Sequence, residues 1–167
     1  MISSGDIYVI DISYLDDATQ AFVFGSVLRA VNSLCLDDDG DKQEHSPNRI
    51  VMFMDELNKF APREAKPNKS PILQNILEVT ERGRSLGMVL FGAEQFKSAI
   101  HERVTGNTAN NVYGRTNDIE ANKHRFLSAT YKRIMTRLAQ GQLIIESPKF
   151  RQVMQIKFPF PPYNQPK

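Results

Sequence analysis

Two adjacent carboxylates, Asp55 and Glu56, directly follow the apolar run Ile50–Met54. A continuous apolar run of this kind predicts a strand that is buried on both faces of a parallel sheet. The two acids then lie at the carboxyl end of the strand, the edge at which open α/β sheets bind ligands. There the first acid can hold Mg²⁺ through its hydration shell, and the second can polarise a water molecule toward a nucleotide γ-phosphate. A solvated acidic turn is the alternative interpretation of the same residues.

A second apolar run, Met88–Ala93, precedes Gln95 and predicts a neighbouring buried strand. Between the two strands, Ser70 is placed to cap a helix that has Pro71 at its first position. The helical pattern continues into residues 81–87, whose glycines should end the helix. Two parallel strands joined by one helix form a right-handed βαβ unit. We therefore expect Gln95 at the same sheet edge as the two acids.

The rest of the sequence also alternates between strand and helix patterns. Ile7–Ile12 predicts a short strand, and Asp16 or Asp17 can cap an amphipathic helix that extends to Leu34. Together these patterns indicate an α/β fold with a mostly parallel sheet flanked by helices and a carboxyl-terminal antiparallel hairpin. The remaining predicted elements are a strand over 112–116, helices over about 118–127 and 128–139, and a hairpin of 142–146 with 151–158.

Composition limits the classes of protein to which the chain can belong. Its 167 residues are enough for one domain, and 41% of them are hydrophobic and 24% charged, as in ordinary globular proteins. A net charge of +2 is too small to indicate nucleic-acid binding, so any DNA contact must come from a local patch. The single cysteine, Cys35, and the lack of a leader predict a cytoplasmic protein. No apolar stretch is long enough to predict a membrane span.

The order of the motifs resembles a known family of motor proteins. An apolar strand with Asp55 and Glu56, a Phe-Ala-Pro loop, a helix, a Glu-x-Gly-Arg-x-x-Gly motif and an apolar strand followed by Gln95 occur in this order. The same order is found in the carboxyl-terminal half of the ATPase domain of HerA/FtsK-type hexameric DNA translocases and helicases. These belong to the RecA-like branch of the P-loop NTPases. The resemblance extends from Ile7 to about Pro161.

This resemblance implies a role for several residues. Asp55 and Glu56 look like the Walker B pair, in which the first positions Mg²⁺ and the second orients the attacking water. Gln95 looks like the polar sensor that reports on the γ-phosphate. Arg84 matches the arginine that completes a neighbouring subunit's site, with Arg82 as the second choice, and such an arginine stabilises charge on the transferred phosphoryl group. The alternative for both arginines is a basic helix end favoured by the helix dipole.

The resemblance also implies cofactors, partners and domain limits. The cofactors are ATP and Mg²⁺, and the partners are further copies of the chain in a ring, DNA, and a possible nuclease, with no membrane. The implied domains are a partial RecA-like ATPase domain over 1–158 and an extended Pro-rich tail over 159–167.

The sequence departs from the family in lacking a phosphate-binding loop. A P-loop requires Gly-x-x-x-x-Gly-Lys-Ser/Thr, and no glycine in this chain is followed by lysine. The resemblance thus implies an incomplete P-loop NTPase core, and we expect the chain alone not to hydrolyse ATP. In RecA-like sheets the P-loop strand lies between the sensor strand and the next one. A gap is therefore expected between 88–93 and 112–116, closed either by direct pairing or by another chain.

Two other functions remain open from the sequence. Asp55 with Glu64 and Lys66 loosely matches the metal-dependent nucleases, although prolines bracket the lysine and predict a loop where a nuclease needs a strand. The second alternative is a non-enzymatic domain for assembly or partner binding. DNA contact is plausible through a cluster of basic residues, which could equally form a solvated helix face. The cluster comprises Lys123, Arg125, Lys132, Arg133 and Arg137.

Overall fold

The computed structural model describes residues 5–35, 49–124, 127–150 and 152–159. The chain divides into two compact units, Met1–Asn107 and Thr108–Lys167. The first unit contains a parallel pair of strands with helices, and the second contains a three-stranded antiparallel sheet with helices. The predicted α/β class is therefore confirmed, as is the antiparallel hairpin near the carboxyl end.

The first unit is built around one βαβ motif. Its two strands pair in parallel, with Ile50 opposite Met88 and Met54 opposite Gly92. The long connecting helix buries an apolar face against the sheet and against the first helix of the chain. The elements are α1 (Asp17–Cys35), β1 (Ile50–Met54), α2 (Leu57–Phe60), α3 (Pro71–Leu86), β2 (Met88–Gly92) and α4 (Glu102–Gly106).

Helix α3 begins at the predicted cap, but only one of the two glycines that were expected to end it does so. The Ser70 hydroxyl accepts a hydrogen bond from the Leu73 N–H at 3.3 Å. Gly87 takes a left-handed conformation, with φ 75°, and ends the helix, as glycine commonly does. Gly83, in contrast, lies inside α3, so the prediction that it helps to end the helix is wrong. A Cβ atom at Gly83 would lie 2.9 Å from the carbonyl oxygen of Met88, which means that close packing on β2 requires this glycine.

The start of α1 is also capped as predicted. Asp16 Oδ1 accepts hydrogen bonds from the N–H groups of Ala18 at 3.0 Å and Thr19 at 3.1 Å. Hydrogen bonds from the Thr19 side chain and backbone lower the pKa of the Asp16 carboxyl below its ordinary value. The aspartate thus satisfies two of the N–H groups that the first turn leaves without partners.

The two faces of the β1–β2 sheet differ in burial. One face packs against α1 and α3, with Ile50 and Met52 beside a core cluster that includes Met88. On the other face Phe53 is 78% exposed and Phe91 is 54% exposed, and their rings stack with centroids 4.9 Å apart. The prediction that the first strand is buried on both faces is therefore wrong, because no helix of the described residues covers this second face.

The segment Ile7–Ile12 does not form the predicted strand. Its residues lie in no helix or strand, and Ile7 and Val9 are 90% and 89% exposed. A strand requires a neighbouring edge with which to exchange hydrogen bonds. Within the described residues this segment pairs with no such edge, so its β-rich composition alone does not produce a strand.

The second unit is an antiparallel sheet with two short helices. Tyr113 pairs with Ile144, and Leu143 pairs with Ile156. Burial raises the pKa of the Tyr113 hydroxyl, which donates a hydrogen bond to Glu146 at 2.7 Å. The elements are β3 (Asn111–Tyr113), α5 (Asp118–Lys123), α6 (Ala129–Met135), β4 (Gln142–Glu146) and β5 (Met154–Lys157).

Two further predictions concern the expected gap between the second and third strands and the Pro-rich tail. β2 and β3 belong to different sheets, so direct pairing between them is not found in the described residues. The other way of filling the expected gap, by another chain, stays a prediction. The Pro-rich tail lies outside the described residues beyond Pro159.

Candidate active site

The carboxyl ends of β1 and β2 are joined by backbone hydrogen bonds that continue past the strands. The Ala93 N–H donates to the Met54 carbonyl oxygen at 2.7 Å, and the Leu57 N–H donates to the Ala93 carbonyl oxygen at 3.3 Å. The turn that carries Asp55 and Glu56 therefore wraps around Ala93. Gln95 follows two residues later, so the structure brings the two acids and the glutamine to one edge of the sheet, as the sequence predicts.

The backbone of Glu56 is in the left-handed helical region, with φ 52° and ψ 48°. It is the only non-glycine residue with positive φ in the part of the chain that the structure describes. This conformation costs about 1–2 kcal/mol for an L-residue with a side chain. It turns the chain sharply into α2, so that Leu57 is buried while the carboxylate of Glu56 stays exposed. Strained backbone of this kind is concentrated at functional sites.

Leu57 and Gly92 fix this turn against β2. Leu57 is 5% exposed and belongs to the core of the first unit. A Cβ atom at position 92 would lie 2.6 Å from Leu57 Cδ2, so a larger residue there would force the leucine side chain to shift. Packing of Leu57 therefore holds the strained residue before it.

The oxygen atoms at this edge fit Mg²⁺ bound mainly through water. Asp55 and Glu56 are exposed, and Asp55 Oδ1 accepts a hydrogen bond from the Glu56 N–H at 3.0 Å. No group of three or more His, Cys, Asp or Glu side chains arranged to hold a metal ion occurs in the described residues. Mg²⁺ commonly uses one or two carboxylates and keeps several waters or phosphate oxygens as its other ligands. The two carboxylates of Asp55 and Glu56 are consistent with this mode of Mg²⁺ binding, in which most ligands are not protein atoms.

Glu94 connects the two turns at this edge. Its Oε2 atom accepts a hydrogen bond from the Asn58 N–H at 2.8 Å. Its Oε1 atom accepts from the N–H groups of Gln95 at 2.6 Å and Phe96 at 3.2 Å. The sequence predicts this glutamate at the same sheet edge as Asp55 and Glu56, because it directly precedes Gln95, but it does not indicate a role for it. An acid immediately before the glutamine is the signal that could have indicated one.

Arg82 and Arg84 lie at the opposite end of the βαβ unit. The Ile50 N–H donates to the Gly87 carbonyl oxygen at 3.0 Å, so the end of α3 adjoins the amino end of β1. The five residues of β1 separate this end from the acids by roughly 16 Å along the strand. The structure thus does not bring these arginines together with Asp55 and Glu56 within one chain.

The arginines differ in their surroundings. Arg82 Nη1 lies 3.7 Å from Glu78 Oε1, one helical turn away. Arg84 is exposed and makes no ion pair with the described residues. Glu81 of the same motif accepts hydrogen bonds from Arg103 Nε at 3.0 Å and Nη2 at 2.6 Å, which ties α3 to α4.

The basic cluster of the second unit is partly neutralised. Lys123 Nζ lies 3.3 Å from Oε2 of Glu120, a carboxylate that is almost fully buried. Lys132 Nζ donates to the Asn122 carbonyl oxygen at 3.4 Å and lines a shallow groove between α5 and α6. Arg133 lines the same groove. Of the other predicted DNA contacts, Arg137 is exposed and Arg125 lies outside the described residues.

The residues of the nuclease alternative lie in a loop. Glu64 and Lys66 are exposed and follow Pro62, which forms an isolated bridge with Ile100 and belongs to no strand. Their segment is neither helix nor strand, as the prolines in the sequence indicate. The structure therefore gives this arrangement no strand on which to present the lysine beside Asp55.

No family model and no curated protein matches this sequence. Several solved structures do match its fold. The genome packaging NTPase B204 from Sulfolobus turreted icosahedral virus 2, in complex with ATPγS, has a TM-score of 0.59 at 14% identity over 89% of this chain. The pCW3 conjugation coupling protein TcpA, in a monomer form with ATPγS, has a TM-score of 0.54 at 13% identity over 85% of this chain.

The chain shares the fold of these NTPases. At such low identity the likeness establishes the fold alone. The chain spans 65% of the B204 structure with ATPγS and 44% of TcpA, so it matches only part of each protein. A further B204 structure, in complex with sulfate, is matched over 51% of its length with a TM-score of 0.53. Within the described residues, no helix has both the length and the apolarity required to cross a bilayer.

Proposed function

We propose that this chain is the carboxyl-terminal part of a ring-forming, ATP-driven DNA translocase or helicase of the HerA/FtsK type. The observation that carries this proposal is the common edge of β1 and β2, where Asp55 and Glu56 follow one strand and Gln95 follows its parallel neighbour. The fold likeness to a genome packaging NTPase and to a conjugation coupling protein supports it. A cytoplasmic location agrees with this function.

Each residue at this edge has a chemical role in the proposal. Asp55 holds the waters coordinated to Mg²⁺, and Glu56 accepts a hydrogen bond from the attacking water and orients it. Gln95, which follows the adjacent strand, acts as the polar sensor of the γ-phosphate. Mg²⁺ bound to ATP supplies charge neutralisation on the phosphates. The exposure of both acids and the left-handed backbone of Glu56 support these roles.

Arg84 serves a neighbouring subunit in this proposal. It lies at the other end of the βαβ unit from Asp55 and Glu56, so it is remote from the acids of its own chain. Its exposed guanidinium, which makes no ion pair with the residues that the structure describes, is available to stabilise charge on a phosphoryl group bound by the next copy. Arg82, with Glu78 beside it, is the second choice. This role of Arg84 requires several copies of the chain to assemble in a ring. DNA would be the polymer that the ring translocates, and a nuclease is a further possible partner.

The chain alone should not hydrolyse ATP, because it has no Gly-Lys dipeptide with which to form a phosphate cradle. The test compares ATP turnover by the chain with turnover by the chain joined to the protein sequence encoded upstream of Met1. We expect turnover only in the joined protein, and we expect Glu56→Gln to lower its kcat by about 10² to 10⁴.

Glu64→Gln is the matched control for this test, because Glu64 is an exposed glutamate in a loop of the same unit. It should leave kcat unchanged. Turnover by the isolated chain that Glu56→Gln abolishes would contradict the missing cradle. A joined protein that contains a P-loop and still does not hydrolyse ATP would contradict the ATPase itself.

A non-enzymatic binding domain is the second candidate, and one observation favours it. Val51, Phe53 and Phe91 are exposed on the same face of the β1–β2 sheet, and exposed apolar patches often mark interaction sites. Absence of turnover in the joined protein would support this candidate. A nuclease is less favoured, and incubation with DNA and Mn²⁺ tests it: specific cleavage that Asp55→Ala abolishes would replace the ATPase proposal.

A further inference from the structure

Glu94 lies between the two turns of the candidate active site and has no role in the proposed chemistry. It is partly buried, unlike the exposed Asp55 and Glu56. Its carboxylate accepts hydrogen bonds from the backbone N–H groups of three residues. Two of them, Gln95 and Phe96, lie on its own turn at 2.6 and 3.2 Å, and the third, Asn58, lies at the start of α2, directly after the turn of Asp55 and Glu56, at 2.8 Å.

We propose that Glu94 is a positioning residue that couples the turn carrying Asp55 and Glu56 to the turn carrying Gln95. The proposal rests on the proposed function, because only a site that binds Mg²⁺ and phosphate requires Asp55, Glu56 and Gln95 at fixed relative positions. One oxygen of the carboxylate is bonded to the turn that carries Gln95, and the other is bonded to the start of α2, which continues directly from Asp55 and Glu56. Because the two oxygens are held at a fixed separation by their shared carbon, displacement of one turn displaces the other.

The strength of these bonds supports a coupling role. Hydrogen bonds to a carboxylate are roughly twice as strong as those between neutral groups. Among the described residues, the other hydrogen bonds between the two segments are the neutral backbone bonds of Ala93 with Met54 and Leu57, at 2.7 and 3.3 Å. The Asn58 N–H belongs to the first turn of α2 and has no acceptor within that helix. Glu94 supplies the missing acceptor from the opposite turn.

Few other side chains can make both attachments. Glutamine has the same size but only one acceptor oxygen, and its NH₂ group would face a backbone N–H. Aspartate keeps two oxygens but is one methylene shorter. It can still accept from N–H groups one and two residues ahead, as in an Asx turn, but it does not reach Asn58. Glu94→Asp therefore separates the bond within one turn from the bond between the turns.

Amide hydrogen exchange of the full chain, followed by NMR, tests the attachments. In Glu94→Asp we expect the Asn58 amide to exchange at least tenfold faster, with the Gln95 and Phe96 amides little changed. In Glu94→Ala all three amides should exchange faster. Glu64→Ala, a loop glutamate of the same unit, should change none of them. Unchanged protection of Asn58 in both Glu94 variants would overturn the proposal, and Glu94→Asp remains informative if the alanine variant does not fold.

Paramagnetic broadening by Mn²⁺ tests whether Glu94 positions Gln95 relative to Asp55. A residue that only stabilises the fold would not change this broadening. With Mn²⁺ at Asp55, the wild-type chain should show broadening of both the Asn58 and the Gln95 amide resonances. In Glu94→Asp the broadening should remain at Asn58 and decrease at Gln95. A ratio of Gln95 broadening to Asn58 broadening that is the same in this variant as in the wild type would overturn the coupling.

The two proposals fail in different ways in this experiment. If Mn²⁺ broadens neither amide in the wild type, or if Asp55→Asn leaves the broadening unchanged, the metal site of the proposed function is wrong. The exchange result for Asn58 then still decides whether Glu94 links the two turns. If the metal site is present and the Glu94 variants behave as the wild type does, only the role of Glu94 is wrong.

Discussion

The two ends of the β1–α3–β2 unit are both rich in motif residues, but their side chains have different surroundings. At the carboxyl end, Asp55 and Glu56 are exposed, and the backbone of Glu56 is strained. At the amino end, Gly83 packs on the backbone of β2, and Glu81 is held by Arg103. Packing and an ion pair thus largely explain the motif residues at the amino end, whereas the two exposed acids at the carboxyl end make no ion pair with the described residues.

The difference shows how to interpret the Glu-x-Gly-Arg motif. Its glutamate ties two helices together, its glycine allows close approach of α3 to β2, and only Arg84 faces solvent without an ion pair among the described residues. Two of the three motif residues would therefore be retained for folding alone. Arg84 is the one whose presence calls for a function elsewhere, such as a neighbouring subunit's site.

The largest expected effect is at Gly83. Replacement by alanine places a Cβ 2.9 Å from the Met88 carbonyl oxygen, and overpacking of this kind costs about 1–3 kcal/mol. Urea unfolding should show that loss in the free energy of unfolding. Gly106→Ala is the matched control, since its Cβ meets nothing within 4 Å. A Gly83→Ala chain as stable as the wild type would remove the contrast between the two ends.

The next largest effect is a gain in the free energy of unfolding, and it is expected at the carboxyl end of the β1–α3–β2 unit. Glu56→Gly relieves the left-handed strain and should raise the free energy of unfolding by about 1 kcal/mol, while removing the carboxylate that the proposed function needs. The control is Asp55→Gly, because Asp55 has no positive φ to relieve. That control should give no gain. If Glu56→Gly is less stable than the wild type, the strain at this end is compensated by contacts of its side chain.

A smaller effect is expected for the pair of Glu81 and Arg103. Both side chains are partly exposed, so a double-mutant cycle with alanine should give a coupling of about 0.2–1 kcal/mol. Added salt should reduce it, since exposed charges are screened. A coupling that is zero at low salt would mean that the glutamate of the motif is not retained for this contact.

The smallest effect on stability is expected at Arg84. Arg84→Ala should change the free energy of unfolding by less than about 0.5 kcal/mol, because the side chain is exposed and makes no ion pair in the described residues. In the joined protein the same change should lower ATP turnover only when subunits assemble. A large loss of stability would instead make Arg84 a structural residue of the amino end.

Local patterns were sufficient to predict most of the elements near the site. Asp16 caps α1, Ser70 caps α3, and Gly87 ends α3, because each depends on hydrogen bonds or backbone angles within a few residues. The parallel pairing of β1 and β2 also follows from one apolar run on each side of a helix. Ile7–Ile12 was mispredicted because a strand depends on a partner that the local sequence does not contain.

The candidate chemical groups at the sheet edge can be predicted from the amino-acid sequence: two adjacent acids follow one apolar run, and a glutamine follows the next. The way in which these groups are held depends on contacts that exist only in the folded chain. The left-handed Glu56, the glycine that leaves room for Leu57, and the attachment of Glu94 to Asn58 all depend on groups that are more than thirty residues apart or on backbone angles set by packing. Composition and spacing report local preference, whereas these features arise from contacts between distant segments.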